Sequence, residues 1–98
     1  MQKHVAFDID GTLTTDEGMS KFWEYQFDGD YTVGIISARP MTSIEQFIED
    51  EGLTPMFVES TLMKNRAMDR IADEGIYYGD RMVDKGYARM AGWEFRGG

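Results

Sequence analysis

The chain has 98 residues, enough for one domain near the lower end of sizes that bury a self-sufficient core, with no room for a second substrate-binding domain. Eighteen acidic residues against ten Lys and Arg give a formal charge of -8, which disfavours a phosphate-backbone footprint, since that normally shows as a basic face. The absence of Cys excludes disulfides and thiolate chemistry, while 42% hydrophobic residues argue for a folded globule.

In chain order, Val5, Ala6, Phe7 and Ile9 form a run too apolar for a half-wet surface, so a strand placed centrally in a sheet and covered on both faces is predicted. Asp8 and Asp10, two positions apart, are then expected to point the same way and to repel unless a cation, a shared proton or donors compensate. Residues 11 to 18 read as a loop. Residues 19 to 27 place Met19, Phe22, Trp23 and Phe27 at helical spacing, with an irregular flap or hairpin as the alternative; their rings either cover a small core or form a lid. A second buried strand is predicted over 31 to 37, ending in Ser37, followed by a helix from Met41 to Glu51 that starts after Pro40 and stops at Gly52.

Residues 54 to 58 read as a third strand weakened by Pro55. Ser60 or Thr61 is expected to cap a helix running to about Glu74, with Leu62, Ala67, Met68, Ile71 and Ala72 facing inward. A fourth strand spans 76 to 80, a last helix closes at Gly92, and Trp93, Glu94 and Phe95 suggest a final strand. The methionines are read as gap-fillers in a small core, and His4 as a surface residue. This alternation predicts an α/β fold: a three-layer, Rossmann-like, mostly parallel sheet with helices on both faces. No apolar run is long enough to cross a bilayer and no basic leader precedes one, so the expected location is the cytoplasm.

The predicted strands deliver Asp8, Asp10, Ser37, Asp80 and Asp84 to the carboxyl edge of the sheet, where open parallel sheets place ligands. Mg²⁺ accepts one or two carboxylates, several waters and a substrate phosphate, so Asp8, Asp10 and Asp80 are candidate ligands, with the Asp10 carbonyl as another. Ser37 and the backbone N–H groups of the loop bearing Gly11 and Thr12 are candidates to receive phosphate oxygens. Lys64 supplies positive charge, with Arg66 or Lys85 as alternatives, and Arg39 and Arg81 are further candidates. One carboxylate can then attack phosphorus while another protonates the leaving oxygen and activates water.

The segment "DIDGTLT" at 8 to 14 resembles the signature of the haloacid-dehalogenase-like superfamily of aspartyl-phosphate phosphatases. The resemblance continues through Ser37 in "IISARP", Lys64 at a helix start, and Asp80 and Asp84 in "GDRMVDKGYARMAGW", and so spans residues 5 to 95. It implies that Asp8 forms the phosphoaspartate, that Asp10 is the general acid and base, and that Ser37 binds the phosphoryl group; Ala38 and Arg39 beside it are further candidates for substrate binding. It also implies that Lys64 neutralises charge, that Asp80 ligates Mg²⁺ and that Asp84 acts through water or orients Lys64. Only about twenty residues separate Asp10 from the second strand, so residues 1 to 98 are expected to form a minimal core without the usual cap. The expected activity is Mg²⁺-dependent hydrolysis of a small phosphorylated metabolite or nucleotide, with no membrane partner and with a homo-oligomer as one way to close the site. A catalytically silent Mg²⁺- or phosphate-binding domain in an assembly, or a nucleic-acid 3′-phosphatase, are the alternatives.

Overall fold

A computed structural model describes residues 2 to 97. Five parallel strands, β1 (Lys3–Phe7), β2 (Tyr31–Ser37), β3 (Phe57–Ser60), β4 (Ile76–Gly79) and β5 (Glu94–Gly97), lie in the order β3-β2-β1-β4-β5. Four helices connect them: α1 (Asp16–Phe27), α2 (Met41–Glu51), α3 (Lys64–Ile71) and α4 (Met82–Met90).

Alternation along β1 divides the core in two. Val5 and Phe7 face one side with Val33, Ile35, Phe22 of α1 and Ile44 of α2, whereas Ala6 faces the other with Ile36, Tyr77, Ala67 and Met68 of α3 and Ala88 of α4. The helices therefore cover both faces, which makes the three-layer arrangement expected from the β-α rhythm. The ring of Phe22 is fully buried, with its centroid 5.4 Å from that of Phe7, so at this position the aromatic segment serves the core. Gly34, facing the second layer, leaves room for the ring of Phe57, which a Cβ at that position would overlap.

The connection leaving β1 turns to β2 on one side, and the one leaving β4 turns to β5 on the other. These two neighbouring strands thus open a crevice at their carboxyl ends, the topological switch point of the sheet.

Several boundaries differ from the sequence expectation. The segment expected to be all loop forms a wide turn over Ile9–Leu13, closed by Thr14 N–H donating to Ile9 O at 3.1 Å, and then the start of α1 at Asp16. The Thr15 hydroxyl caps that helix by accepting from Gly18 N–H at 3.0 Å, which starts α1 ahead of its aromatic stripe. Strand β3 begins at Phe57, beyond Pro55, because pairing with β2 runs from Gly34 opposite Phe57 to Ser37 opposite Ser60. Helix α3 begins at Lys64 after Met63 and ends at Ile71, so neither Ser60 nor Thr61 caps it and it stops short of Glu74. Leu62 lies before the helix and is exposed. The methionines also depart from the expectation: Met68 is core, but Met41, Met56, Met63, Met82 and Met90 are exposed.

Candidate active site

Asp8 is the first residue after β1, and its N–H donates to Tyr78 O at 2.9 Å, so hydrogen bonding to β4 carries the chain one residue beyond the strand. The residue is buried, with its side chain 8% exposed. One oxygen accepts from Ile9 N–H at 2.8 Å, and the other lies 3.1 Å from Lys64 Nζ. Lys64 is the first residue of α3 and is itself buried; its ammonium also donates to Asp84 Oδ1 at 2.8 Å. Asp84, in the first turn of α4, is fully buried, and its Oδ2 has no hydrogen-bond partner among the described residues. Asp80 follows β4 directly. Ligand oxygens of Asp8, Asp80 and Asp84 lie within 4.8 Å of one another.

Two carboxylates thus meet one ammonium, with that of Asp80 beside them. Burial pushes the Asp8 carboxyl above the usual carboxylate range, Lys64 opposes that rise, and Asp84 adds to it. This excess of negative charge, together with the orphan oxygen of Asp84, suits a hard divalent cation bound through oxygen ligands. Beneath the ammonium lies the ring of Tyr77, with Nζ 5.5 Å from its centroid. The Tyr77 hydroxyl donates to Ile36 O at 2.8 Å, and burial raises its pKa well above the phenol range, so it remains a neutral floor for the site.

Two glycines make the cluster possible. Gly79 lies against Asp84, where an added Cβ would sit 2.7 Å from Oδ2. Gly11 has φ +73° and abuts the Asp80 carboxylate. A side chain at position 11 is disfavoured by both the left-handed backbone and the lack of space. Gly11→Ala is expected to lower stability by about 1–2 kcal/mol from the backbone alone and to displace Asp80. Thermal unfolding with and without Mg²⁺ checks this, and the variant should show a smaller metal-induced rise than the wild type.

Asp10 departs from the expected alternation. The strand ends at Phe7, and residues 9 to 13 form the wide turn, so Asp10 does not share the direction of Asp8. Its exposed carboxylate is gripped by Arg39, with Nε donating to Oδ2 at 3.0 Å and Nη2 to Oδ1 at 2.7 Å. That fork holds the Asp10 carboxyl below its ordinary value. The charge conflict of this region therefore involves Asp8, Asp80 and Asp84, and Asp10 is compensated separately.

Ser37 ends β2 and is buried. Its hydroxyl oxygen accepts from Arg39 N–H at 3.1 Å across the exposed Ala38, a tight turn that aims Arg39 toward Asp10. The Gly11 N–H donates to Thr14 Oγ1 at 3.0 Å, while Thr12 is buried with its hydroxyl unpartnered. Lys64, rather than Arg66 or Lys85, is the buried cation of the cluster. His4 lies near the start of β1, at the opposite edge of the sheet from the cluster.

Two contributors carried no sequence signal of a role here. Tyr77 reads as an ordinary strand aromatic. Asn65, the second residue of α3, is 9% exposed with an unpartnered Oδ1, and only its position beside Lys64 could have drawn attention to it. The assembled arrangement is a small α/β domain with an aspartate cluster at the switch point of a parallel sheet, consistent with a haloacid-dehalogenase-like core. Comparison with protein-family models, curated proteins and solved structures gave no match.

Proposed function

We propose that the protein is a Mg²⁺-dependent phosphomonoester hydrolase that works through an aspartyl-phosphate on Asp8. The observation that carries this reading is the meeting of buried Asp8, Asp84 and Lys64 with the exposed Asp80 in one cluster, where Asp84 Oδ2 has no partner among the described residues. Asp8, Asp80 and Asp84 are the residues to hold the cation, Asp84 directly or through water. When bound, Mg²⁺ neutralises phosphate charge and makes phosphorus more electrophilic.

An Asp8 oxygen attacks phosphorus, and the bond to the substrate's alcohol oxygen breaks. Asp10 delivers a proton to that departing oxygen, then takes one from a water that attacks the phosphoaspartate, releasing inorganic phosphate and restoring Asp8. Lys64 steadies the nucleophile and offsets the negative charge that accumulates in the transition state. Ser37, with the turn through Gly11 and Thr12, borders the phosphoryl position.

The Arg39–Asp10 fork fits a sequence of events in which the dianionic phosphate competes for the guanidinium. Arg39 then moves onto the phosphate and releases Asp10 for proton transfer. Arg39→Ala is accordingly expected to raise KM about tenfold or more, the loss of one charge-assisted contact worth about 1.5–3 kcal/mol. Steady-state kinetics against substrate concentration check it, and an unchanged KM would remove Arg39 from the phosphate site.

The test of the reading is phosphate release from a panel of phosphomonoesters with Mg²⁺ and with a chelator, alongside thermal unfolding under the same conditions. Mg²⁺ at about 100 times its dissociation constant is expected to stabilise the fold by about 2.7 kcal/mol, and turnover should require it. Stabilisation without turnover would instead favour a silent binding domain.

A further inference from the structure

Five large apolar side chains are exposed on the connections that frame the crevice: Met41 after β2, Leu62 and Met63 after β3, and Met82 and Val83 after β4. Leu62 and Met63 immediately precede Lys64, and Met82 and Val83 lie between Asp80 and Asp84. The contacts of Lys64 with Asp8 and Asp84 bring the starts of α3 and α4 together, so the segments that carry these exposed side chains are the same ones that deliver the cluster. Leu62 is 74% and Met82 80% exposed, among the most exposed apolar residues in the chain. Solvent exposure of this kind, concentrated at one mouth, marks a binding surface better than scattered apolar residues do.

The other side chains of these connections sharpen its chemistry. Beyond Asp80 and Asp84, residues 38 to 43, 61 to 64 and 80 to 84 carry no carboxylate, amide or aromatic group; their polar members are Arg39, Thr42, Ser43, Thr61, Lys64 and Arg81. On a chain with a formal charge of -8 these three connections offer cations for a phosphate and mainly apolar surface for its alcohol, the polar groups of the turn after β1, Asp10 above all, being engaged with Arg39 and the leaving oxygen. Asp8 is buried at the base of the crevice, and in-line displacement puts the leaving oxygen opposite the attacking one. The alcohol therefore projects outward, toward the connections that carry Leu62, Met63, Met82 and Val83.

Resting on the phosphatase reading, we infer that this rim selects phosphomonoesters of apolar alcohols, and that Leu62 and Met82 are specificity-determining residues. The rim does for the alcohol what a cap does in a larger enzyme: it buries the leaving group's carbon skeleton.

The experiment compares kcat/KM for hexyl phosphate and glycerol 1-phosphate, with Mg²⁺, in the wild type and in Leu62→Ser/Met82→Ser. Both substrates are primary alkyl monoesters, and glycerol is the more acidic alcohol, so a preference for hexyl phosphate must come from binding. The wild type is expected to prefer hexyl phosphate by about tenfold or more, and the double variant to lose about tenfold of that ratio, the scale set by apolar pocket contacts. Because both residues are exposed, the variant should fold and retain its rate on glycerol 1-phosphate. Equal or better turnover of glycerol 1-phosphate by the wild type, or a ratio unchanged in the variant, overturns the inference while leaving the phosphatase reading intact. Self-association in sedimentation that the double substitution abolishes, with the ratio unchanged, assigns the rim to a second copy of the chain and also overturns it. Release from neither substrate nor from any other phosphomonoester removes the phosphatase reading and this inference with it.

Discussion

Replacing Asp8 with Asn is expected to abolish phosphate release while leaving the metal-free protein at least as stable as the wild type. The two effects have separate origins. An amide cannot form the acyl-phosphate bond, and loss of a nucleophile that acts together with Lys64 and Asp10 costs on the order of 10³-fold or more in kcat. In the metal-free fold, by contrast, Asp8 carries a cost, because burial raises its pKa above the ordinary carboxylate value despite the nearby Lys64.

The sign follows from linkage. Between the unfolded pKa and the raised folded pKa, the native state binds more protons than the unfolded state, so stability falls as pH rises through that window. The amide of the Asp8→Asn variant has no such dependence, and its oxygen can still accept from Ile9 N–H. Unfolding measured in chelator from pH 4 to 8 should therefore show Asp8→Asn with a flatter profile and a midpoint no lower than the wild type's at neutral pH. With Mg²⁺ the order is expected to reverse, since the variant lacks one of the carboxylates proposed to hold the cation. Phosphate release that survives the substitution would remove Asp8 from the nucleophile's role, and a metal-free variant much less stable than the wild type would remove the burial cost.

The strands and their order of appearance were legible because short, continuous apolar runs rich in β-branched and aromatic residues, bounded by turn residues, read as buried parallel strands. The paired coverage of both faces followed from how apolar β1 is. Asp8, Ser37, Lys64, Asp80 and Asp84 were all legible as candidates, since each follows a strand or opens a helix. Asp10 was legible as a site residue but not in its direction: extending the alternation of β1 through position 10 missed the turn that begins at Ile9, after which Asp10 is held by Arg39.

Tertiary context decided the rest. Helical spacing placed Met68 inward, and it packs under the sheet, but nothing local marked Met82, two residues before Asp84, as exposed. Pairing with β2 set the limits of β3, overriding the apolar run that starts near Pro55. Tyr77 and Tyr78 differ only in which face the pleat assigns them: one lies under Lys64, while the hydroxyl of the other is 2.9 Å from that of Tyr25.

Lys64→Met should be the most destabilising single change in the site, and a conditional one. Lys64 is 5% exposed and its ammonium meets both Asp8 and Asp84, so its removal leaves two buried carboxylates without their common cation. Breaking a buried pair in this way costs about 3–5 kcal/mol, a large share of the roughly 5–15 kcal/mol that holds a domain together. Methionine retains the apolar stem over Tyr77, so the loss reports charge rather than packing. For a domain of this size the midpoint should fall by more than about 10 °C in chelator at pH 7. Two conditions should restore part of it. Mg²⁺ replaces the missing positive charge between the carboxylates, and lower pH protonates Asp8, whose pKa rises further once Lys64 no longer lowers it. The wild type gains less from either, because its cluster already holds one cation. A variant with an unchanged midpoint would mean that Lys64 and the aspartates do not share the charge balance the geometry requires, and a loss insensitive to both Mg²⁺ and pH would locate its cause in packing alone.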